Sequence, residues 1–271
     1  MEPIHATFDR LRRRHRRALV PFIMGGDPNL AMTSQLLLAL EDAGADLIEV
    51  GIPFSDPLAD GPVIQAASAR ALARGVTPAR VLRAIASVRH RVRVVVVCLS
   101  YWNPLVQFGH QGAQARPDAF VRAAVASGVS GVIVPDLPVE EGDALRDVSR
   151  RAGFATIFLA APTSPPDRLR MIARASDGFI YYVSLTGTTG ARQTLPPGLV
   201  LGVRQLRLLT TKPVCVGFGI STPIQAATVA RIADGVIVGS ALIHAMGCEK
   251  TRAGALRAAA SFLKRLRRAV R

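Results

Sequence analysis

The chain has 271 residues, 49% of them hydrophobic, and 34 Lys and Arg against 19 Asp and Glu give a formal net charge of +15. That length suits one large core, and no apolar run approaches the roughly 20 residues needed to span a bilayer. The basic start MEPIHATFDRLRRRHRRALV lacks the apolar stretch and cleavage site of a signal peptide, and the three cysteines (Cys98, Cys215, Cys248) have no metal-ligand spacing, so a protein of the reducing cytoplasm is expected.

In chain order, an Arg-rich helix is predicted around residues 8–17. Eight short apolar runs follow: 18–24, 46–51, 93–99, 131–136, 154–160, 178–184, 213–219 and 235–240. They are mostly continuous rather than alternating, as in parallel strands covered on both faces. Between them, segments at 32–44, 78–91, 118–128, 143–153, 166–176 and 224–234 carry helical spacing. The segments ending at Gly44, Gly128 and Gly153 close with a residue suited to a left-handed cap, and the next strand follows at once. An open doubly wound sheet would read similarly, so the count of eight decides for an α/β fold of the (β/α)8 barrel type with an extra N-terminal helix. Residues 1–271 are read as a single domain. Two long loops, YWNPLVQFGHQGAQARPD (101–118) and SLTGTTGARQTLPPG (184–198), fall on the rim where the strands end.

Much of the positive charge lies in two terminal segments, RLRRRHRR (10–17) and KRLRRAVR (264–271). Such a field attracts anions and non-specific nucleic acid. Neither segment has interleaved aromatics or a binding motif, so the reading from sequence is a solvated helix face rather than a nucleic-acid site.

Glu49 stands near the end of the second run. Period-two alternation puts Leu47, Glu49 and Gly51 on one face and Ile48 and Val50 on the other, which sends Glu49 into the barrel lumen. Apart from the opening Arg93, the runs hold no Arg or Lys to neutralise it, which favours a desolvated acid/base with a raised pKa. Asp60 lies beyond in SDPLADGPV, where a turn aspartate and a functional one are equally good readings. Glycine-rich stretches at 186–190, 217–222 and 238–243 follow the last three runs, and the third opens a helix. Together they suggest backbone N–H groups arranged for a phosphorylated substrate. The five His residues do not pair at ligand spacing, and no metal site is expected.

The motifs PFIMGGDP (21–28), LIEVGIPFSDPLADGPVIQ (47–65), LSYWNPL (99–105), VPDLPVEE (134–141), YYVSLTGTTGAR (181–192), VGFGIS (216–221) and GVIVGSAL (235–242) carry a resemblance over essentially the whole chain. The sequence closely resembles the α subunit of tryptophan synthase. That resemblance implies a lyase that splits indole-3-glycerol phosphate into indole and glyceraldehyde 3-phosphate by retro-aldol chemistry. Glu49 then matches the acid/base that protonates the indole ring at C3. Asp60 matches the carboxylate on the indole N–H, and Tyr181 the active-site tyrosine. Phe22, Leu99, Tyr101 and Ile133 match the indole pocket. Gly190, Gly219, Gly239 and Ser240 match the phosphate cradle, and Thr189 matches the lid threonine that closes over the aspartate. No cofactor is implied for this step. Pyridoxal phosphate is expected only on a partner β subunit, in an α2β2 tetramer. The sequence departs from the family pattern at Gly25-Gly26, at Thr188, in the added length of HQGAQARP (110–117) and in its basic termini. The rival readings are a free-standing lyase, a basic barrel turned to nucleic-acid binding, and a different phosphosugar enzyme.

Overall fold

The computed structural model describes residues 2–109, 116–183, 198–217 and 219–270. The elements run α1 (Glu2–Arg13), β1 (Ala18–Met24), α2 (Leu30–Asp42), β2 (Leu47–Gly51), α3 (Pro62–Ala73), α4 (Pro78–Ala86), β3 (Val95–Leu99), α5 (Trp102–Val106), α6 (Asp118–Ala126), β4 (Val129–Ile133), α7 (Asp143–Arg151), β5 (Ala155–Ile157), β6 (Leu159–Ala160), α8 (Pro166–Ala175), β7 (Ile180–Val183), α9 (Gly198–Leu209), β8 (Val214–Gly217), α10 (Pro223–Ile232), β9 (Gly235–Val238), α11 (Ser240–Gly247) and α12 (Arg252–Ala269).

The strands form one parallel sheet in the order β5-β4-β3-β2-β1-β9-β8-β7-β6. Its two ends, β5 and β6, are the halves of a single apolar run, which brings the sheet round to its own start as an eight-stranded barrel. The run breaks at Phe158, whose N–H leaves the ladder to donate to Ser176 Oγ at 3.0 Å while its carbonyl accepts from Tyr181 N–H at 3.1 Å. Every residue of β1, β2 and β3 is buried, because helices cover the outside and side chains fill the lumen. Side-chain caps start several of the outer helices: Asn29 for α2, Thr77 for α4, Thr251 for α12, and a reciprocal Thr222–Gln225 capping box for α10. Gly44, Gly128 and Gly153 all take positive φ, as the sequence implied.

The N-terminal helix occupies Glu2–Arg13, not 8–17. Its apolar stripe, Ile4, Phe8 and Leu11, begins upstream of the arginines, and His15 at φ 52° ends the helix before β1. Ile4 packs against Gly131 and Gly178, and the Phe8 and Phe179 rings lie 5.9 Å apart. α1 therefore stops the end of the barrel where the strands begin. Other boundaries shift as well: β4 starts at Val129, two residues before the apolar run, β3 and β7 start two residues after theirs, α4 ends at Ala86 rather than at 91, and the stretch 101–118 is not all loop, since it contains α5. Of the loop at 184–198, all but Gly198 lies outside the described residues.

Candidate active site

β1, β2 and β3 place Phe22, Glu49 and Val97 in register, and Gly51, Leu99 and Ile133 form the next set. Phe22 fits because glycine stands on both sides of it. A Cβ at Gly51 would meet its ring at 2.7 Å, and one at Gly239 would stand 3.4 Å from Phe22 Cβ. Leu99 and Ile133 are buried, which gives the pocket an apolar wall beside the carboxylate.

Glu49 is 1% exposed, and neither carboxylate oxygen has a hydrogen-bond partner among the described residues. Burial, followed by the negative charge of Asp60, pushes its pKa up to about 8. Among the described residues no Arg or Lys contributes to the shift of Glu49, and Arg93, the cation that opens the third run, is exposed. The carboxyl group is thus kept protonated near neutral pH, in a site that offers it no internal use for the proton.

Asp60 is brought to the same site by the loop between β2 and α3. Ser68 of α3, itself buried, holds that loop by accepting from Phe54 N–H at 2.9 Å and donating to the Phe54 carbonyl at 2.8 Å. Gln65 Nε2 donates to the Asp60 carbonyl at 2.9 Å. The carboxylate is half-buried rather than open to water, and burial raises its pKa to about 6. A hydrogen bond from the Tyr101 hydroxyl opposes that rise. The same phenol oxygen accepts from Ala59 N–H at 2.9 Å, and the Tyr101 ring stacks beside Phe54 at 5.3 Å. Tyr101 is thus fixed from two directions, with its proton turned to Asp60. Burial and the Asp60 charge hold this phenol well above its ordinary range.

Tyr181 is buried in β7, and its hydroxyl lies over Gly217, where a Cβ would approach it to 2.5 Å. Burial, then Glu49, then Asp60 raise its pKa, so it remains a neutral donor within the field of both carboxylates. On the opposite arc of the rim, Gly219 adopts φ +74°, and Gly239 is the N-cap of α11, whose first residue is Ser240. No side chain caps α11. Thr189 and Gly190 lie outside the described residues.

The structure thus gathers Glu49, Asp60, Tyr101, Tyr181, Phe22, Leu99 and Ile133 into one site. Sequence reasoning missed Ser68 and Phe54, which act only through their neighbours, and read Gly217 only as part of a glycine-rich strand end, not as the space for the Tyr181 hydroxyl. It also missed Asp136, which accepts from Trp102 N–H at 2.9 Å and anchors the start of α5. The departure at Gly25-Gly26 is a steric requirement of this rim. A Cβ on Gly25 would lie 2.8 Å from the Gly51 carbonyl oxygen, and Gly26 adopts φ +87° against Val76.

The family model described as tryptophan synthase alpha chain matches residues 8–271. The tryptophan synthase alpha chain of Gloeobacter violaceus is 49% identical over 269 residues, 98% of this chain and 94% of that protein. The Geobacter sulfurreducens alpha chain is 45% identical over 271 residues, covering 100% and 99%. Among solved structures, a chain of Mycobacterium tuberculosis tryptophan synthase superposes with a TM-score of 0.89 at 35% identity, covering 99% of this chain and 98% of that one. The Legionella pneumophila alpha chain gives 0.86 at 37% identity, covering 98% and 96%. The chain belongs to the tryptophan synthase alpha chain family, lyases that cleave indole-3-glycerol phosphate in tryptophan biosynthesis.

Proposed function

We propose that Glu49 is the proton carrier and Asp60 the ionised counter-carboxylate of this cleavage. The observation that supports the reading is the separation of the two carboxyl groups: one is buried, unpartnered and held near about 8, the other is bonded to Tyr101 and held near about 6. Between those values one is an acid and the other an anion. Glu49 delivers its proton to C3 of the indole ring, and the positive charge that develops at the ring nitrogen is met by Asp60 accepting the N–H. The Glu49 carboxylate then takes the proton of the glycerol hydroxyl next to the scissile bond. The C–C bond breaks, its electrons neutralise the ring as indole, and the aldehyde of glyceraldehyde 3-phosphate forms. Glu49 ends protonated, so the step balances without a cofactor. Tyr181 donates from the lumen side, while Phe22, Leu99, Tyr101 and Ile133 keep water from the ring.

The phosphate is assigned to Gly219, Gly239 and Ser240 at the open end of α11, with Gly190, and Thr189 is assigned to the lid. A tryptophan synthase β subunit carrying pyridoxal phosphate is the proposed partner, in an α2β2 assembly. In support, Leu58 is 91% exposed in the loop that carries Asp60, an apolar side chain offered at the rim. We assign the chain to the cytoplasm and read it as one domain. No helix among the described residues is long and apolar enough to cross a membrane.

An indole-release assay, with and without a cognate β chain, tests the assignment. Glu49→Gln is expected to abolish cleavage with substrate affinity largely kept, and Asp60→Asn to slow turnover by about 10²-fold or more. Turnover retained by Glu49→Gln removes Glu49 from the mechanism. Ser240→Asp is expected to raise KM by placing charge against the phosphate.

A further inference from the structure

The two arginine-rich segments lie at opposite ends of the sequence, and the fold joins them through Arg17 and Arg267, 250 residues apart. Arg267 of α12 donates to the Arg17 carbonyl at 3.1 Å and pairs with Asp46 at 2.5 Å, and it stands close enough to Arg16 to be repelled by it. Arg12 reaches the Thr211 carbonyl at 3.4 Å, just before β8. The end of α1 and the end of α12 therefore share the face of the barrel where the strands begin, opposite the rim that carries Glu49 and Asp60.

The basic residues of the ends of α1 and α12, with Arg207, divide into two groups. Arg17 and Arg207 share Asp234, Arg267 holds Asp46, and Arg12 stands 4.0 Å from Asp9. Arg10, Arg13, Arg14, Arg16, Lys264 and Arg268 form no ion pair among the described residues, and all but half-buried Arg16 are exposed. A favourable charge at a helix C-terminus accounts for one or two such residues per helix, not for this concentration. Neither α1 nor α12 exposes a large apolar side chain, because Ile4, Phe8, Leu11, Phe262, Leu263 and Leu266 are all spent on the core. A protein partner needs an apolar or aromatic anchor at the centre of its interface, and a bilayer needs an apolar helix face to insert. The ends of α1 and α12 offer neither; the exposed Leu208 and Leu209 near this face belong to the end of α9. What the two ends offer is a field of unpaired guanidinium groups, whose planar forks match phosphate oxygens.

We infer that the face formed by the ends of α1 and α12 binds nucleic acid through its phosphate backbone, without sequence preference, as a second function remote from the lyase site. The inference stands on the charge geometry alone and is independent of the catalytic assignments. Binding leaves the substrate site open, because it occupies the other end of the barrel.

Anisotropy of a labelled single-stranded RNA of about 30 nucleotides, titrated with the full chain at several salt concentrations, tests this. Six phosphate contacts predict a slope of log K on log salt near about −4. A slope shallower than about −1 in the unmodified protein, or no binding at about 150 mM salt, overturns the inference without any variant. The combined variant Arg13→Glu, Arg14→Glu, Lys264→Glu, Arg268→Glu is expected to lose at least about 10²-fold in affinity and most of the slope, with indole release unchanged. A variant of equal charge change away from the ends of α1 and α12, on α4, α6, α9 and the opposite end of α12 (Arg83→Glu, Arg122→Glu, Arg204→Glu, Arg252→Glu), is expected to lose less than about tenfold. Equal losses in the two variants mean that only net charge matters, and overturn the proposal. So does binding to phosphatidylserine vesicles in the absence of RNA binding, which would make the surface a membrane contact.

Discussion

A carboxylate with no partner and 1% exposure is costly, and the cost has a sign. The folded state holds Glu49 protonated up to about 8, whereas the same carboxyl group in the unfolded chain ionises near 4.5. Stability is therefore untouched below the lower value, falls as pH rises between the two, and is level above the higher one. At about pH 7 the loss is roughly 3 kcal/mol. Glu49→Gln is expected to escape it, so its stability advantage in urea should widen steadily from about pH 5 to about pH 8. A constant difference across that range would mean that Glu49 is ionised in the fold. Tyr101 acts on the other carboxyl group. Tyr101→Phe keeps the ring beside Phe54 and deletes the proton given to Asp60, so the Asp60 pKa should climb further above about 6. The acid limb of the kcat/KM profile is then expected to move to higher pH, with the limb near about 8 little changed. An unmoved acid limb would show that the phenol only fills space.

The element that makes the site is the strand–loop–helix unit from β2 to α3. Glu49 is fixed by a strand, but Asp60 depends on a loop tied down by Ser68 and Gln65 from the helix that follows it. α3 is anchored in turn by Arg70, which grips buried Asp27 at the end of β1 through two bonds of 2.8 and 2.7 Å. Gly25 completes this junction by donating its N–H to the Gly51 carbonyl at 2.8 Å. Gly25→Ala puts a methyl group against that same carbonyl and against Val81, and backbone oxygen cannot rotate away. A loss of about 1–3 kcal/mol in unfolding free energy is expected, measured from the urea midpoint. An unchanged midpoint would show that the strand ends yield freely.

Across the whole molecule, chemistry sits at one end of the barrel and closure at the other. Ile4 is fully buried against Gly131 and Gly178 at the base, far from the rim. Ile4→Ala should cost about 2–4 kcal/mol of stability while leaving kcat for indole release near that of the parent. A matching fall in kcat would mean that the plug shapes the rim. Charge at the base is mixed but dense: Asp46 and Asp234 hold Arg267, Arg17 and Arg207 there, and further basic residues from the ends of α1 and α12 stand beside them without an ion pair among the described residues.

Continuous apolar runs with glycine at the ends of the intervening helices were enough to determine eight parallel strands, because burial on both faces leaves few polar positions in a strand. Alternation also placed Glu49 inward, since a side chain in a strand has only two directions to take. Asp60 could not be read in this way. It belongs to a loop whose course is set by Ser68, Gln65 and Tyr101, contacts that local sequence does not encode. The start of the first helix was misjudged because charge was weighed above the Ile4–Phe8–Leu11 stripe, whose meaning depends on the barrel end it fills. Sequence likewise showed two separate basic tails. Only the tertiary structure decided that they form one surface, because α12 returns its end to the point where α1 ends and β1 begins.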